Sequence, residues 1–281
     1  MGFTALMWAA QQGSEGVVRQ LLVGDGINPD KQSNHGGSPL WLASIHRHER
    51  VVKLLLAQND VNPDRPNNNG ETPLWRASHT GCVGVVKLFL AGYDVNPDKP
   101  NNNGQTPLWT ASRYGREGVV KLLLTRGDIN PNKPNNKGQT PLWRASFHQR
   151  EGVVKLLLSW KDVSPDKQNK HGQTPLWVAS YAGHEGMVKL LLSRNDVNPD
   201  RPTSDGRTPL WTASYGGHDG AVKLLLARND LNPDKLNNQG QTPLWCACYK
   251  RHTGVVKLLT ERHQSQQATQ RQPNTTLDLL F

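Results

Sequence analysis

Histidine is the residue type in this chain whose spacing first suggests metal binding. His48, His184, His218 and His252 occupy the same position of a 34-residue internal repeat. Equivalent residues on stacked helices lie about 8–10 Å apart, whereas zinc needs its nitrogen ligands at about 2 Å. The histidine spacing therefore argues against a shared metal ion, and we predict no metal site.

The cysteines and the known catalytic motifs also give no sign of chemistry. Cys246 and Cys248 stand two residues apart on a predicted helix, hence on different faces, and Cys82 is the only other cysteine. No phosphate-binding loop of the form Gly-x-x-x-x-Gly-Lys-Ser/Thr is present, and no nucleophile elbow or carboxylate pair was found. We therefore expect a protein that is not an enzyme, without catalytic residues and without a cofactor.

The composition limits where the chain acts. Hydrophobic residues make up 35% of the 281 residues, and no run approaches 18 apolar residues, so no membrane association is expected. The first residues lack the pattern of a signal peptide, and three cysteines do not make a disulfide framework. These features predict an intracellular protein, cytoplasmic or nuclear. The net charge of +10 permits an acidic partner.

A repeat of 34 residues organises the chain. A Thr/Ser-Pro-Leu-Trp block begins at Ser38, Thr72, Thr106, Thr140, Thr174, Thr208 and Thr242, and a degenerate copy begins at Thr4. A glycine stands two residues before each block. The predicted array covers residues 1–262, with repeats at 2–35, 36–69, 70–103, 104–137, 138–171, 172–205, 206–239 and a partial 240–262, and a flexible tail at 263–281.

The local signals within one repeat predict two short helices and a turn. The Thr174 hydroxyl can cap the first helix, Pro175 suits its first position, and Gly183 ends it. An apolar second helix follows, which we expect to end with Asn195 in the left-handed conformation. The Asp-Gly pair at 205–206 predicts a hairpin-like tip. Helices this short must bury their apolar faces against neighbouring repeats.

The repeat resembles the ankyrin family. Residues 140–145, Thr-Pro-Leu-Trp-Arg-Ala, match the ankyrin pattern Thr-Pro-Leu-His-x-Ala at every position but the histidine. The resemblance covers residues 2–262, and the Asn-Pro-Asp-Lys-Pro fingers are similar to those of fungal ankyrin arrays. It implies an all-α ankyrin repeat solenoid of about eight stacked helix-turn-helix units with β-hairpin-like fingers. It also implies a non-catalytic scaffold that binds a protein through a concave groove.

Tryptophan stands where the ankyrin pattern has histidine. The column comprises Trp41, Trp75, Trp109, Trp143, Trp177, Trp211 and Trp245. We expect these indoles to pack between repeats, each N–H needing an acceptor. The alternative is a stacking platform for bases or sugars.

Some positions vary between repeats where the rest of the pattern is constant. The candidate protein-binding residues are Trp8, Ile45, His46, Arg76, His79, Arg113, Tyr114, Arg144, Phe147, His148, Tyr181, Tyr215 and Tyr249. The resemblance places them on the first helix of each repeat, facing the groove. Aromatic residues and arginine are favoured at binding hot spots, whereas neutral variation at exposed positions is the alternative. We therefore predict an unidentified protein partner for a monomeric chain.

A basic residue recurs once per repeat on the second helix. The column comprises Arg19, Lys53, Lys87, Lys121, Lys155, Lys189, Lys223 and Lys257. Six of these residues have an acid four positions earlier, a spacing that favours ion pairs along a helix. Oppositely charged neighbours in the fingers, such as Asp98 and Lys99, are also expected to neutralise each other. We expect the column to be a self-paired outer face. Binding of nucleic acid or another polyanion remains the alternative function.

Overall fold

The structure, a computed structural model, describes residues 2–92 and 94–270, with side chains described to residue 265. The described residues form sixteen α-helices and no strand, which confirms the predicted all-α repeat fold. The chain divides into two compact units, residues 1–170 and residues 171–281, here called the N-terminal unit and the C-terminal unit.

The N-terminal unit contains the helices of the first five repeats. These helices are α1 (Ala5–Gln12), α2 (Glu15–Val23), α3 (Pro39–Ile45), α4 (Glu49–Leu56), α5 (Pro73–Thr80), α6 (Val83–Leu90), α7 (Pro107–Arg113), α8 (Glu117–Leu124), α9 (Pro141–Phe147) and α10 (Glu151–Leu158). The first helices of successive repeats pack side by side, as do the second helices. Within this unit, each helix thus buries its apolar face against its own partner and a neighbouring repeat.

The C-terminal unit contains the remaining six helices in the same arrangement. They are α11 (Pro175–Tyr181), α12 (Glu185–Leu192), α13 (Pro209–Gly216), α14 (Asp219–Leu226), α15 (Pro243–Lys250) and α16 (Thr253–Gln270). The core between paired helices is aliphatic, with Leu210, Val222 and Leu225 fully buried.

The predicted start of each first helix is confirmed. The Thr174 hydroxyl accepts a hydrogen bond from the Trp177 backbone N–H at 3.0 Å, and Pro175 occupies the first turn. The same cap recurs in all eight first helices, including the one at Thr4. Gly183 follows the helix with φ of +68°, a conformation that costs glycine little.

The predicted end of the second helix is wrong. Helix α12 stops at Leu192, its cap Ser193 is right-handed, and Asn195 is not among the described residues with positive φ. The chain instead leaves through a turn in which the Val197 N–H donates to the Arg194 carbonyl at 3.4 Å. Val197 is 1% exposed. Because its side chain is buried, the chain returns to the core after helix α12 instead of following the local preference of Asn195.

The last helix runs into the segment 263–281 that was predicted as a flexible tail. Helix α16 continues to Gln270, so residues 263–270 extend the last helix instead of leaving it. No glycine or proline stands between Gly254 and Pro273 to end the helix. The imidazole Nε2 of His263 also lies 2.8 Å from the Asp234 carboxylate. The apolar end at 277–281 lies outside the described residues.

An aspartate in four of the fingers, Asp30, Asp64, Asp98 and Asp200, links consecutive repeats. The Asp98 carboxylate accepts a hydrogen bond through Oδ2 from the Asn130 backbone N–H at 2.8 Å, while its buried Oδ1 has no acceptor or donor partner among the described residues. Burial raises the pKa of Asp98. Lys99 does not cancel Asp98 as predicted, because its ammonium donates to the Asp64 carbonyl, one repeat earlier, at 3.0 Å.

Replacing Asp98 with asparagine is expected to stabilise the protein. Asn132 occupies the same position one repeat later, where its amide accepts from the Ser164 N–H at 2.8 Å and donates to the Asp162 carbonyl at 2.6 Å. Both amide atoms are therefore satisfied. The Asp98→Asn change removes a buried carboxylate oxygen without a partner, so the unfolding free energy at pH 7 should rise by about 1 kcal/mol.

Urea unfolding at two pH values checks this expectation. A pKa raised by folding gives stability that is present below the unfolded pKa and lost as pH rises through the folded pKa. The destabilisation caused by Asp98 should therefore decrease on acidification towards pH 4, and the advantage of Asp98→Asn should shrink. Asn132→Asp, the reverse change at the matched position, should lower stability at pH 7. Equal stability of wild type and Asp98→Asn at pH 7 would contradict the argument.

Candidate protein-binding site

Most tryptophans of the repeated column are buried between repeats. Trp109 is 1% exposed, and its indole N–H donates to the Gln139 carbonyl at 2.9 Å. Trp75 makes the equivalent bond to the Gln105 carbonyl at 2.9 Å. These two tryptophans show the expected packing together with an acceptor. The buried indole N–H groups of Trp41, Trp143, Trp177 and Trp211 have no acceptor among the described residues, so the expectation of an acceptor for each indole is wrong for these four.

The variable side chain four residues after the tryptophan stacks on its ring. Trp177 and Tyr181 are almost parallel, with an interplanar angle of 6° and centroids 5.4 Å apart. The same stacking joins Trp75 to His79, Trp143 to Phe147, Trp211 to Tyr215 and Trp245 to Tyr249 at 5.2–5.7 Å. Residues four apart on a helix lie on one face, so each variable aromatic ring is held by the constant one.

Three of these stacked rings form a tyrosine row in the C-terminal unit. Tyr181, Tyr215 and Tyr249 are 54%, 41% and 69% exposed. Their helices α11, α13 and α15 pack in succession, and the Lys250 ammonium lies 4.5 Å from the Tyr215 ring centre and 5.9 Å from that of Tyr249. The tyrosine row therefore presents fixed aromatic surface to solvent.

A second group of candidate residues comes together in the N-terminal unit. His79 meets Tyr114 edge to face, with ring centroids 4.3 Å apart. The Arg113 guanidinium lies 5.2 Å from the Tyr114 ring centre. Phe147 meets His148 edge to face at 5.0 Å.

Arginine 144 lies at the centre of this second group. Its guanidinium carbon is 5.4 Å from the ring centres of both Trp109 and Phe147. Burial and the charge of Arg113 lower the pKa of Arg144. Burial, followed by the charges of Arg144 and Arg113, lowers the pKa of His148 to about 4. His148 is thus neutral at physiological pH, in a setting where positive charge already accumulates.

Comparison with known families identifies the architecture. A family model described as ankyrin repeats in three copies matches residues 6–99, 57–135, 79–169, 129–203, 146–235 and 195–272. Together these overlapping matches cover residues 6 to 272. The chain belongs to the ankyrin repeat family. Ankyrin repeats generally act as protein–protein interaction modules. No curated protein matches the chain.

Four candidate residues lie apart from both groups within the ankyrin repeats. Trp8 is 52% exposed and rests on Phe3. Ile45 is half-buried, and the exposed His46 stacks on His48 with ring centroids 6.1 Å apart. The fourth residue is Arg76, whose guanidinium covers the ring of Trp41 at 5.2 Å and pairs with Glu71 at 3.8 Å.

Histidines of the repeated column contact backbone carbonyls of the preceding ankyrin repeat. The ring nitrogen Nε2 of His48 lies 3.0 Å from the Gln11 carbonyl, and His218 makes the same contact with the Tyr181 carbonyl. Arg150 occupies the column in the fifth repeat and donates to the Arg113 carbonyl at 3.2 Å. Within the described residues, no group of three histidine, cysteine or acidic side chains is placed to share a metal ion.

The basic column on the second helices is not paired as predicted. Among the described residues, only Arg19 of the six expected pairs meets its acid, Glu15, at 2.8 Å. Four of the other acids lie against the next repeat, and the Glu117 carboxylate, for example, approaches Gly152 at the start of helix α10. Glycine leaves room there, and the positive end of a helix attracts a carboxylate. Lysines such as Lys121 are left exposed without an ion pair.

No helix in the described part of the chain is long and apolar enough to cross a membrane.

Proposed function

We propose that the chain is a non-catalytic scaffold that binds a protein partner through the face formed by its first helices. The tyrosine row carries this proposal. Each of its rings is held by a parallel tryptophan, so little side-chain freedom remains to be lost on binding. Tyrosine and tryptophan supply large contact areas with a polar tip, and both are enriched at interface hot spots.

A triple substitution of the tyrosine row tests the proposal. Tyr181→Ala, Tyr215→Ala and Tyr249→Ala together should abolish capture of the partner, because hot-spot truncations each cost about 2 kcal/mol or more. The exposed rings contribute less to folding than buried ones, so helicity by circular dichroism and a single cooperative melt should be retained. Capture from nuclease-treated lysate with wild type and variant as bait, followed by mass spectrometry, gives the comparison.

The matched control removes charge from the same three repeats. Lys189→Ala, Lys223→Ala and Lys257→Ala change three exposed residues of the second helices and should leave capture of the protein partner unchanged. If capture by the tyrosine variant equals that of wild type, the first-helix face is not the binding site.

Nucleic-acid binding is the second candidate function, and the exposed lysines on the second helices, of which only Lys257 has an acidic partner among the described residues, favour it. Exposed cations without partners are free to neutralise phosphates and release counterions. This function predicts the opposite result in the same experiment. Capture would be lost in the lysine variant and on nuclease treatment, while the tyrosine variant would behave as wild type.

A further inference from the structure

A cleft of about 260 Å³ in the N-terminal unit is lined by cations and amides but by no carboxylate. Arg113 and Arg144 reach it from first helices, and Lys137 reaches it from a finger tip. The lining also includes Trp109 and the amide side chain of Gln139. The cleft thus combines three positive charges with a tryptophan on one wall.

None of the three cations has an anionic partner among the described residues. Arg144 is half-buried, and its Nε–H is buried without an acceptor. Such an unmet donor on a charged group is costly. Burial lowers the pKa of Arg144, and repulsion from the charge of Arg113 lowers it further. A bound anion would offset this repulsion and offer an acceptor to the guanidinium.

The same chain contains an equivalent cleft in which the anion is built in. Arg76 occupies the position of Arg144 two repeats earlier and also covers a tryptophan, Trp41. There the Glu71 carboxylate lies 3.8 Å from the Arg76 guanidinium. The residue at the position of Glu71 beside Arg144 is Gln139.

The two side chains at that position are held in the same way. The Glu71 carboxylate accepts a hydrogen bond from the Asn67 amide at 2.9 Å, and the Gln139 amide oxygen accepts one from Asn135 at 3.1 Å. With its oxygen engaged, the Gln139 amide nitrogen remains as a donor beside Arg144. At this one position, the two clefts therefore differ in charge, while the side chain is held in the same way.

We propose that the cleft at Arg113, Lys137 and Arg144 binds an acidic side chain from a peptide segment of the protein partner. This inference rests on the proposed protein-binding function and adds the chemistry that the partner must present. Guanidinium groups bind carboxylates and phosphates through charge-assisted hydrogen bonds. The volume suits one side chain, and the amides on its wall suit a peptide backbone better than a long phosphate chain.

Gln139→Glu is the decisive variant, because it recreates the arrangement of Glu71 beside Arg144. The probe is a fluorescein-labelled peptide with four consecutive glutamates, measured by fluorescence anisotropy at fixed salt with the full chain. Wild type should bind it, and Gln139→Glu should weaken binding about tenfold, as expected for losing one charged hydrogen-bonded contact. Arg144→Gln should weaken it similarly. Glu71→Gln, the reverse change in the equivalent cleft, should not weaken it.

Comparison probes separate the possible anions. A peptide with four glutamines should bind at least tenfold more weakly, and a peptide with phosphoserine in place of one glutamate shows whether phosphate is accepted as well as carboxylate. Equal binding of wild type and Gln139→Glu would overturn the proposal. Tighter binding of a single-stranded oligonucleotide of the same charge, lost in Gln139→Glu, would overturn its assignment to a peptide. Either failure leaves partner capture through the tyrosine row intact, so the two proposals fail separately.

Discussion

Gly104→Ala is expected to destabilise the protein by roughly 2–4 kcal/mol, the sum of backbone strain and a lost inter-repeat hydrogen bond. Gly104 has φ of +75°, where a side chain is strained. A Cβ there would also lie 2.7 Å from the Asn136 backbone nitrogen. That nitrogen donates to the Asn103 carbonyl at 3.0 Å, one of the bonds that tie each finger to the next. The added methyl group would force this link apart.

Gly240 provides the matched control for this experiment. It occupies the same position in the last repeat with φ of +72°, but a Cβ there would meet nothing within 4 Å. Gly240→Ala should therefore show only the conformational penalty, about 1 kcal/mol. Urea unfolding followed by circular dichroism at 222 nm measures both variants. Equal losses would show that close contact between fingers adds nothing beyond the backbone conformation.

The start of each first helix was predictable because its signals are local. Thr174 and Trp177 are three residues apart, and the bond between the hydroxyl and the backbone N–H depends on nothing farther away. Gly183 similarly needs only its own positive φ. The exit of the second helix was not predictable in this way, since burial of Val197 outweighs the local preference of Asn195.

Contacts between repeats are the part that spacing along one helix could not give. Glu117 and Lys121 have the separation of a helical ion pair, yet Glu117 leans on Gly152, 35 residues away. The cleft at Arg113, Lys137 and Arg144 also depends on contacts between repeats. Its charge depends on Gln139 occupying the position that Glu71 has in another repeat. The sequence shows this difference, but only the structure shows that Arg144 lies beside Gln139.

Trp109→Ala is the second change with a large expected effect. Trp109 is 1% exposed, so truncating it removes a full indole from between two repeats and should cost roughly 3–5 kcal/mol. It also removes the donor to the Gln139 carbonyl and one ring beneath Arg144. The free energy of unfolding and peptide binding in the cleft at Arg113, Lys137 and Arg144 should therefore both decrease. Trp109→Phe, which keeps most of the ring but not the N–H, should cost less.

The control for Trp109 is the same substitution in the last repeat. Trp245 is 46% exposed, so Trp245→Ala should cost about 1 kcal/mol, in proportion to the smaller area it buries. Urea unfolding compares the two, and peptide anisotropy follows the cleft where Trp109→Phe remains folded. Equal losses of unfolding free energy in Trp109→Ala and Trp245→Ala would mean that packing between repeats does not explain the recurrence of tryptophan at this position. The recurrent indoles of the repeats would then need the other explanation, a surface on which flat ligands stack. A large difference instead assigns the buried tryptophans to stability and leaves recognition to the variable rings stacked on them.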